Sequence, residues 1–429
     1  MSGARVSRLR LPAVLAAAVL AAAAAGCSAI GGGTGTAGGG LSGPSGSPIT
    51  IGISLPLTGD FAADGVATER GYQLWASDVN SHGGLLGRPV TLVIRNDKSD
   101  PDVTASQYQA LISTDHVDLT LAPFSSLLTA AALPVVTRHG YAFPAGSAGA
   151  PAVYQLKSRS LFSTTVPVVK QLVPFVQWVT SLPPGTRPAT AAYPMVDDPF
   201  ADPPVQQAQK LLQAAGIRTA YSVTKPYSAN SSASALAADA QQVQRSGAQL
   251  VVLGSVDVPT VSAFINEFVK LHYNPKVFIA SAGPDQGQAF INKVGTSTAD
   301  GVLVPNGWSG TFPGALSHVM VQDYIAKYGG TASGINADVA EAYSAGEVLA
   351  AGVSGAGVVT NKSIISWLHA HQVPTVVGTV KFDSIGENTN TQESAFIFQW
   401  QPGAQFVQVL PRNALGSSPI IATKPSWSS

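Results

Sequence analysis

Two adjacent serines, Ser125 and Ser126, stand where a predicted strand gives way to a predicted helix. Residues 117–121 alternate apolar and polar side chains, Pro123 ends the alternation, and an alanine-rich apolar run follows to about His139. A serine at a helix N-terminus can cap the helix by accepting a hydrogen bond from a free first-turn amide. The same position can bind an anion, because those amides and the positive end of the helix dipole attract negative charge. The sequence leaves both interpretations, capping and ligand binding, open.

Three loops follow predicted strands, at residues 58–65, 123–126 and 144–151. In parallel α/β sheets, ligands bind beyond the carboxyl ends of the strands, so these loops are expected to face one crevice. Phe61 lies in the first loop and is a candidate ligand contact.

The elements that would position these loops alternate between strand and helix. A first series begins at residue 49 and a second, of similar length, begins near residue 163. Such alternation predicts βαβ units and a parallel sheet in each series. Two α/β bodies in tandem predict two lobes, and a cleft between lobes is a preferred place for a small ligand.

The N-terminus has the features of a lipoprotein signal peptide. Three arginines precede an apolar run at residues 11–25, and the only cysteine, Cys27, follows a small-residue segment at the expected cleavage point. This arrangement predicts a signal peptide at 1–26 and a lipid on Cys27, with a plain secretory signal and a stray cysteine as the alternative. The Gly/Ser-rich segment 27–47 is then a flexible, lipid-anchored linker.

Composition excludes several classes of protein. Removing residues 1–26 takes away three arginines and no acid, so 21 basic and 24 acidic residues remain, with a formal charge of −3. That balance predicts no nucleic-acid partner. A single cysteine permits no internal disulfide, so the fold must rest on its core. No later segment has 18 unbroken apolar residues, and no further membrane helix is expected.

Several short motifs, in order and at characteristic spacing, resemble one known family. They are IGISLPLTG at 51–59, NSHGGLLGR at 80–88, NDKSDP at 96–101, FSS at 124–126, SAGAP at 147–151, VVLG at 251–254 and FD at 382–383. From about residue 49 to 409 the chain resembles the type I periplasmic binding proteins of ABC importers, in particular the branch that binds branched-chain amino acids and amides.

The resemblance implies an α/β fold of two Rossmann-like lobes, joined by three crossovers, with the ligand cleft between them. Carried onto this chain, the N-terminal lobe comprises 48–162 plus 304–380, and the C-terminal lobe comprises 163–303 plus 381–415. Residues 416–429 are expected to form a loose tail. Ligand binding would close the lobes, and the closed form would dock on a permease.

The resemblance also implies a ligand site. Ser125 and Ser126 stand where the family holds the ligand carboxylate, and Ser147 stands at a backbone or hydroxyl contact. Gly149 replaces the usual threonine and can offer only its amide. Phe200 aligns with the aromatic residue that covers the ligand, although it could instead pack on its own lobe.

Two positions depart from the family. Val256 replaces a tyrosine, and Ala282 replaces the acid that pairs with an α-ammonium group. Asp257 or Asp64 could substitute for that acid, but each also fits a solvated loop. Because an unpaired buried ammonium is unfavourable, we expect a carboxylate without an amine, an amide, or an aromatic or aliphatic acid. Trp308 is a further cleft candidate, with core or hinge packing as the alternative.

The sequence does not favour an enzyme. Residues 145–149 lack the first glycine of a nucleophile elbow, and there is no His-Glu-x-x-His or Walker A motif. Lipidation would remove Cys27 as a nucleophile. His369 and His371 have the wrong helical spacing for a shared metal, and the acids at 197–198 are typical of a solvated loop. No catalytic residue, metal or cofactor is predicted.

Together these features predict a monomeric, extracytoplasmic solute-binding lipoprotein, anchored at the outer face of the cell membrane. Its expected partners are a small carboxylate or amide and the permease and ATPase subunits of an ABC importer. The alternative is a lipoprotein that senses the ligand and reports it to a signalling receptor. A structural lipoprotein would be expected to show repeats, which the chain lacks.

Overall fold

The computed structural model of the chain describes residues 46–226, 232–390, 395–412 and 416–427. Cys27, the predicted signal peptide and nearly all of the predicted linker lie outside these residues, so the structure does not bear on lipidation. The part of the chain that is described contains one three-stranded sheet, one seven-stranded sheet and two two-stranded sheets.

The first lobe is built around a small parallel sheet with strand order β2-β1-β3 and a parallel pair, β4-β5. Helices and strands alternate along its chain: β1 (Ile49–Leu55), α1 (Ala62–Ser81), β2 (Val90–Asn96), α2 (Pro101–Ser113), β3 (Leu119–Thr120), α3 (Ser126–Arg138), β4 (Phe143–Ala145), α4 (Pro151–Gln155) and β5 (Leu161–Ser163). The apolar residues of β1 are fully buried, as expected of a central strand between two parallel neighbours.

The second lobe contains a seven-stranded sheet with order β14-β13-β10-β9-β8-β6-β7. Its elements are α5 (Val168–Gln171), α6 (Val173–Ser181), β6 (Thr190–Asp197), α7 (Asp202–Ala214), β7 (Arg218–Pro226), α8 (Ala233–Ser246), β8 (Leu250–Leu253), α9 (Val258–Lys270), β9 (Val277–Ala280), α10 (Gln288–Val294), α11 (Thr296–Ala299), β10 (Leu303–Asn306), β13 (Phe396–Gln401) and β14 (Gln405–Leu410). β13 pairs antiparallel with both β10 and β14, and the other neighbouring strands pair parallel.

The chain between β10 and β13 returns to the first lobe. It forms α12 (Ala315–Tyr328), a 3-10 turn (Ala332–Gly334), α13 (Ala337–Ala356), α14 (Asn361–Ala370) and the hairpin of β11 (Gln372–Thr375) and β12 (Gly378–Lys381). Apolar residues of α13, α14 and the hairpin share one buried cluster with β1 and α1. The chain therefore crosses between lobes three times, after β5, β10 and β12. The predicted fold class, two Rossmann-like lobes with a cleft between them, is confirmed.

The lobe boundaries at single-residue level stay a prediction, but the tail differs from expectation. Within residues 416–427, the indole of Trp427 packs against Phe268 and Phe278 and donates to the Thr298 carbonyl oxygen over 2.7 Å. The backbone amide of Ile421 donates to Gln399 Oε1 over 2.8 Å. The expected loose tail is thus wrong for these residues. The aromatic residues that pack against Trp427 are distant in sequence, so the local polarity of the tail does not indicate this packing.

Several local expectations were also incomplete. The short helix α5, which precedes α6, was not predicted, and strand pairing in 117–121 is limited to the two residues of β3. The strand β14 was missed. Among the described residues, no single helix is long and apolar enough to cross a membrane; α13 and α14 qualify only as a pair bent by 102°.

Close packing of α1 on α13 depends on Gly71. A Cβ atom there would overlap the backbone oxygen of Val339 and lie 2.8 Å from the Ala342 Cβ. We expect Gly71→Ala to lower the free energy of unfolding by about 1–3 kcal/mol, because the two helices must move apart. Chemical denaturation measures the change. Gly185→Ala is the control, since nothing lies within 4 Å of that position; equal stability of both variants would contradict this account of the packing.

Candidate ligand-binding site

A cavity lies between the two lobes, with about 560 Å³ of space free of protein atoms, including its opening to solvent. The start of α3 and the loop after β4 contribute one wall, and the loops after β6, β8 and β9 contribute the other. The lobes also touch beside it, where the rings of Phe61 and Phe124 join the apolar core of the second lobe. The cavity is therefore lined by both lobes, as a closed binding protein requires.

Six of the ten predicted ligand contacts line this cavity. They are Ser125, Ser147, Gly149, Phe200, Val256 and Ala282. They come from five segments that are far apart in sequence, and the parallel topology of the two sheets brings these segments together at the carboxyl ends of the strands.

Ser125 occupies the N-cap position of α3, but its side chain makes no capping hydrogen bond. The residue is only 3% exposed, and its hydroxyl has no hydrogen-bond partner among the described residues. A buried hydroxyl without a partner is unfavourable in a finished core. The capping interpretation of Ser125 therefore lacks the hydrogen bond that it requires, and ligand binding stays a prediction.

Ser126 has a different place from Ser125. It is fully buried, and it does not line the cavity. Its hydroxyl accepts from the backbone amide of Ala150 over 3.2 Å and donates to the Ser147 carbonyl oxygen over 3.5 Å. Ser126 therefore holds the loop after β4 against α3. In that loop only glycine fits at Gly149, because a Cβ would lie 2.8 Å from the Val166 backbone oxygen.

The aromatic candidate from the second lobe, Phe200, lies at the junction of the lobes. Its partly buried ring packs against one cluster that contains Phe124 and Val256 and against another that contains Phe143 and Val153. The alternative that Phe200 packs only on its own lobe is therefore wrong. Because the ring contacts both lobes and lines the cavity, it can cover a ligand when the lobes are together.

Three further candidates do not reach the cavity. The ring of Phe61 is fully buried and meets the Phe124 ring edge-on, with 5.6 Å between centroids. Asp257 is the N-cap of α9, and its Oδ1 accepts from the Thr260 amide over 2.6 Å. Trp308 belongs to the apolar cluster around α12. Each expectation of direct contact is corrected here: Phe61 supports the wall, Asp257 caps a helix, and Trp308 packs in the core.

Four carboxyl groups line the same cavity: Asp64, Asp285, Asp338 and Glu341. The sequence analysis named Asp64 as a possible substitute for the acid that Ala282 replaces, but it did not predict Asp285, Asp338 or Glu341 as site residues. The i,i+3 spacing of Asp338 and Glu341 at the start of a predicted helix was the available signal, because it places both side chains on one helical face. Ala282 does not supply an acid, as predicted, but other segments place carboxyl groups in the cavity that can pair with an ammonium group.

Neutral donors contact these acids. Gln286 Nε2, from the second lobe, donates to Asp64 Oδ1 and, over 3.3 Å, to Asp338 Oδ2. Asn336 Nδ2 donates to Gln286 Oε1 over 2.7 Å, and the Ser147 hydroxyl donates to Glu341 Oε2 over 3.4 Å. The amide of Gln286 thus links the two lobes through the acids of the first lobe.

Burial makes the charged forms of these acids unfavourable. It raises the pKa of the Asp64 carboxyl well above its usual range, and the charges of Asp338, Asp285 and Asp257 raise it further. Burial and the same kind of repulsion raise the pKa of Asp338 and of Glu341. Burial raises the pKa of Asp285 to about 6. Without a cation, the closed cleft therefore favours protonated carboxyl groups.

A sequence model of the periplasmic binding protein family matches residues 48–405. The chain belongs to this family. This family places the chain among binding proteins.

Similarity to individual members is low in sequence and high in fold. The chain is 30% identical over 103 residues to the Leu/Ile/Val-binding protein BraC3 of Rhizobium johnstonii, a match that covers 24% of this chain and 28% of BraC3. The Streptococcus pneumoniae binding protein LivJ, solved with isoleucine, has a TM-score of 0.70 at 19% identity, over 84% of this chain and all of LivJ. A Rhodopseudomonas palustris solute-binding protein solved with benzoate has a TM-score of 0.69 at 17% identity, over 88% and 99% of the two chains.

The raised pKa values predict how the stability of the binding protein depends on pH. Its native state holds protons on these carboxyl groups where the unfolded chain has already lost them, so the free energy of unfolding falls as pH rises from about 4 through the raised pKa values. We expect Asp338→Asn to be about 1–3 kcal/mol more stable than the wild type at pH 8, and equally stable at pH 4, in thermal or chemical unfolding.

Asp102→Asn is the matched control, because Asp102 is exposed in the first turn of α2. Its stability should follow the wild-type pH profile. If the free energy of unfolding of Asp338→Asn depends on pH in the same way as that of the wild type, the pKa of the Asp338 carboxyl is not raised in the cleft.

Proposed function

We propose that this chain is the solute-binding protein of an ABC importer, and that it captures a small molecule with a carboxylate group by closing its lobes. The observation that carries the proposal is Ser125: a buried hydroxyl without a described partner, at the N-terminus of α3, on the wall of the interlobe cavity. Free first-turn amides and the helix dipole favour an anionic group at this point.

The relatives support the class of ligand. The ligands named for the S. pneumoniae and R. palustris proteins, isoleucine and benzoate, both carry a carboxylate although the rest of each molecule differs. In this chain, a carboxylate at Ser125 would sit on α3, while Phe200 and Val256 would cover the remainder from the second lobe. Because both lobes contact the solute, binding stabilises the closed form.

Delivery would follow from closure. A permease that recognises the closed arrangement of two lobes receives only loaded protein, since the ligand shifts the equilibrium toward that arrangement. The sequence around Cys27 supports attachment of the protein to the outer face of the cell membrane through a lipid on that cysteine. The Gly/Ser-rich segment 27–47 would then let the binding domain reach a neighbouring permease as a monomer.

The anion site can be tested at Ser125. We expect Ser125→Ala to weaken binding of a carboxylate-bearing solute by about 1–3 kcal/mol, because the hydroxyl donates to a charged oxygen. Isothermal titration of purified protein with isoleucine, lysine and benzoate, each tested separately, provides the measurement. Ser354→Ala is the control, since Ser354 is exposed near the end of α13. If every solute that binds the wild type binds Ser125→Ala equally well, the proposed carboxylate position is wrong.

Lipid attachment can be tested at Cys27. We expect Cys27→Ala to move the protein from the membrane fraction to the soluble extracellular fraction, because no lipid can be attached. Fractionation of cells followed by immunoblotting measures the distribution, and Ser28→Ala serves as the control. A Cys27→Ala protein that remains in the membrane fraction would contradict the anchor.

A further inference from the structure

We infer that the cleft selects a solute with a net positive charge, whose carboxylate lies at Ser125 and whose cationic nitrogen atoms lie among Asp64, Asp285, Asp338 and Glu341. The inference rests on the proposed function, because it names the chemical class of the solute that the same site would capture.

The four acids come from three segments and from both lobes. Asp64 lies in the first turn of α1, Asp338 and Glu341 lie in the first turns of α13, and Asp285 follows β9 in the second lobe. Asp64 is 2% exposed and Asp338 is 7% exposed. Four carboxyl groups on one small cavity are more acids than a neutral solute can pair with.

No lysine or arginine among the described residues forms an ion pair with these acids. The ion pairs in that part of the chain lie elsewhere, at Arg95–Asp115, Lys225–Asp239 and Lys270–Glu267. Arg70, further along α1 than Asp64, donates to Tyr324 Oη over 3.3 Å and lies over the Tyr328 ring. Its guanidinium group is engaged by these two tyrosines.

The hydrogen bonds from protein groups leave acceptor capacity unused. An ionised carboxylate has about four acceptor positions, whereas Asp285 accepts from the Gly283 amide over 2.8 Å and Glu341 accepts from the Ser147 hydroxyl. Ammonium and guanidinium groups are donors with no acceptor, so they match this surface both in charge and in hydrogen-bonding type.

An acidic cluster alone would not define a ligand site, and Ser125 supplies the independent observation. Its buried hydroxyl, without a described partner, lines the same cavity as the four acids. The cavity thus has a group suited to an anion, at the start of α3, and four groups suited to cations. A solute with a carboxylate and a single ammonium would neutralise one acid of the four, and a second cationic nitrogen reduces the remaining repulsion.

An organic cation fits better than a metal ion. No group of three or more His, Cys, Asp or Glu residues in the described part of the chain has an arrangement that could hold a metal. A cationic solute would also couple binding to closure. Asp285 belongs to the second lobe, and the other three acids belong to the first. Closure therefore brings acids of the two lobes together, and a cation bound between them favours the closed form.

Four related unbranched compounds test the inference. Lysine has the carboxylate and two ammonium groups, norleucine lacks the terminal ammonium, cadaverine lacks the carboxylate, and hexanoate lacks both ammonium groups. In isothermal titration of the purified protein at pH 7.5, we expect lysine to bind at least about tenfold more tightly than norleucine or cadaverine, and hexanoate to bind most weakly.

Charge-removing variants locate the effect. Asp285→Asn and Glu341→Gln keep the side-chain shape and an acceptor oxygen, and each should weaken lysine binding at least about tenfold while changing norleucine binding less than about threefold. Glu347→Gln is the control: Glu347 lies further along α13, its carboxylate accepts from the Val376 amide over 2.8 Å, and it does not line the cavity. A thermal unfolding scan confirms that each variant is folded.

The outcomes separate the inference from the proposed function. Tighter binding of norleucine or hexanoate than of lysine, or binding of isoleucine or benzoate without lysine, would overturn the cationic preference and leave the solute-binding function standing. Equal binding of cadaverine and lysine would overturn the carboxylate position at Ser125. If none of the six compounds binds, the proposed function itself is contradicted.

Discussion

The burial of several carboxyl groups in one cavity is the constraint on which the chemistry of this cleft depends. Asp64, Asp338 and Glu341 in one lobe and Asp285 in the other line the same cavity. In such surroundings a negative charge is poorly solvated, so protons, neutral donors or a cationic guest must compensate it. The Gln286 amide is the donor that the protein itself places between the lobes.

The start of α3 adds a group of the reverse polarity to the same cavity. The start of α3 presents the positive end of a helix dipole, and the hydroxyl of Ser125 is left there without a described partner. A solute that contacts both kinds of group can satisfy them only if it carries both a negative and a positive group. Both lobes contribute to the wall, and the crossover segments after β5 and β10 contribute Thr165 and Gly307.

Much of the fold could be predicted from the sequence. The alternation of strands and helices located most elements, and β1 begins at the predicted residue 49. The prediction of a loose tail failed because long-range packing overrides local pattern: Trp427 lies on a distant aromatic cluster. The strand β14, which forms a hairpin with the preceding strand β13, was not predicted either. Six of the ten predicted site residues line the cavity, because the order of the motifs allowed the chain to be aligned with the family. Phe61, Ser126, Asp257 and Trp308 do not line it.

The sequence by itself determined the two-lobed α/β fold and the serine turn, because hydrophobic periodicity and short motifs are local properties of a chain. Only the tertiary structure decided the electrostatic character of the cleft. Asp64, Asp285 and Asp338 are separated by up to 274 positions in sequence, and each alone is typical of a solvated acid. Their shared burial arises when α1, α13 and the loop after β9 meet, and burial changes both the charge that these groups carry and the solute that they can accept.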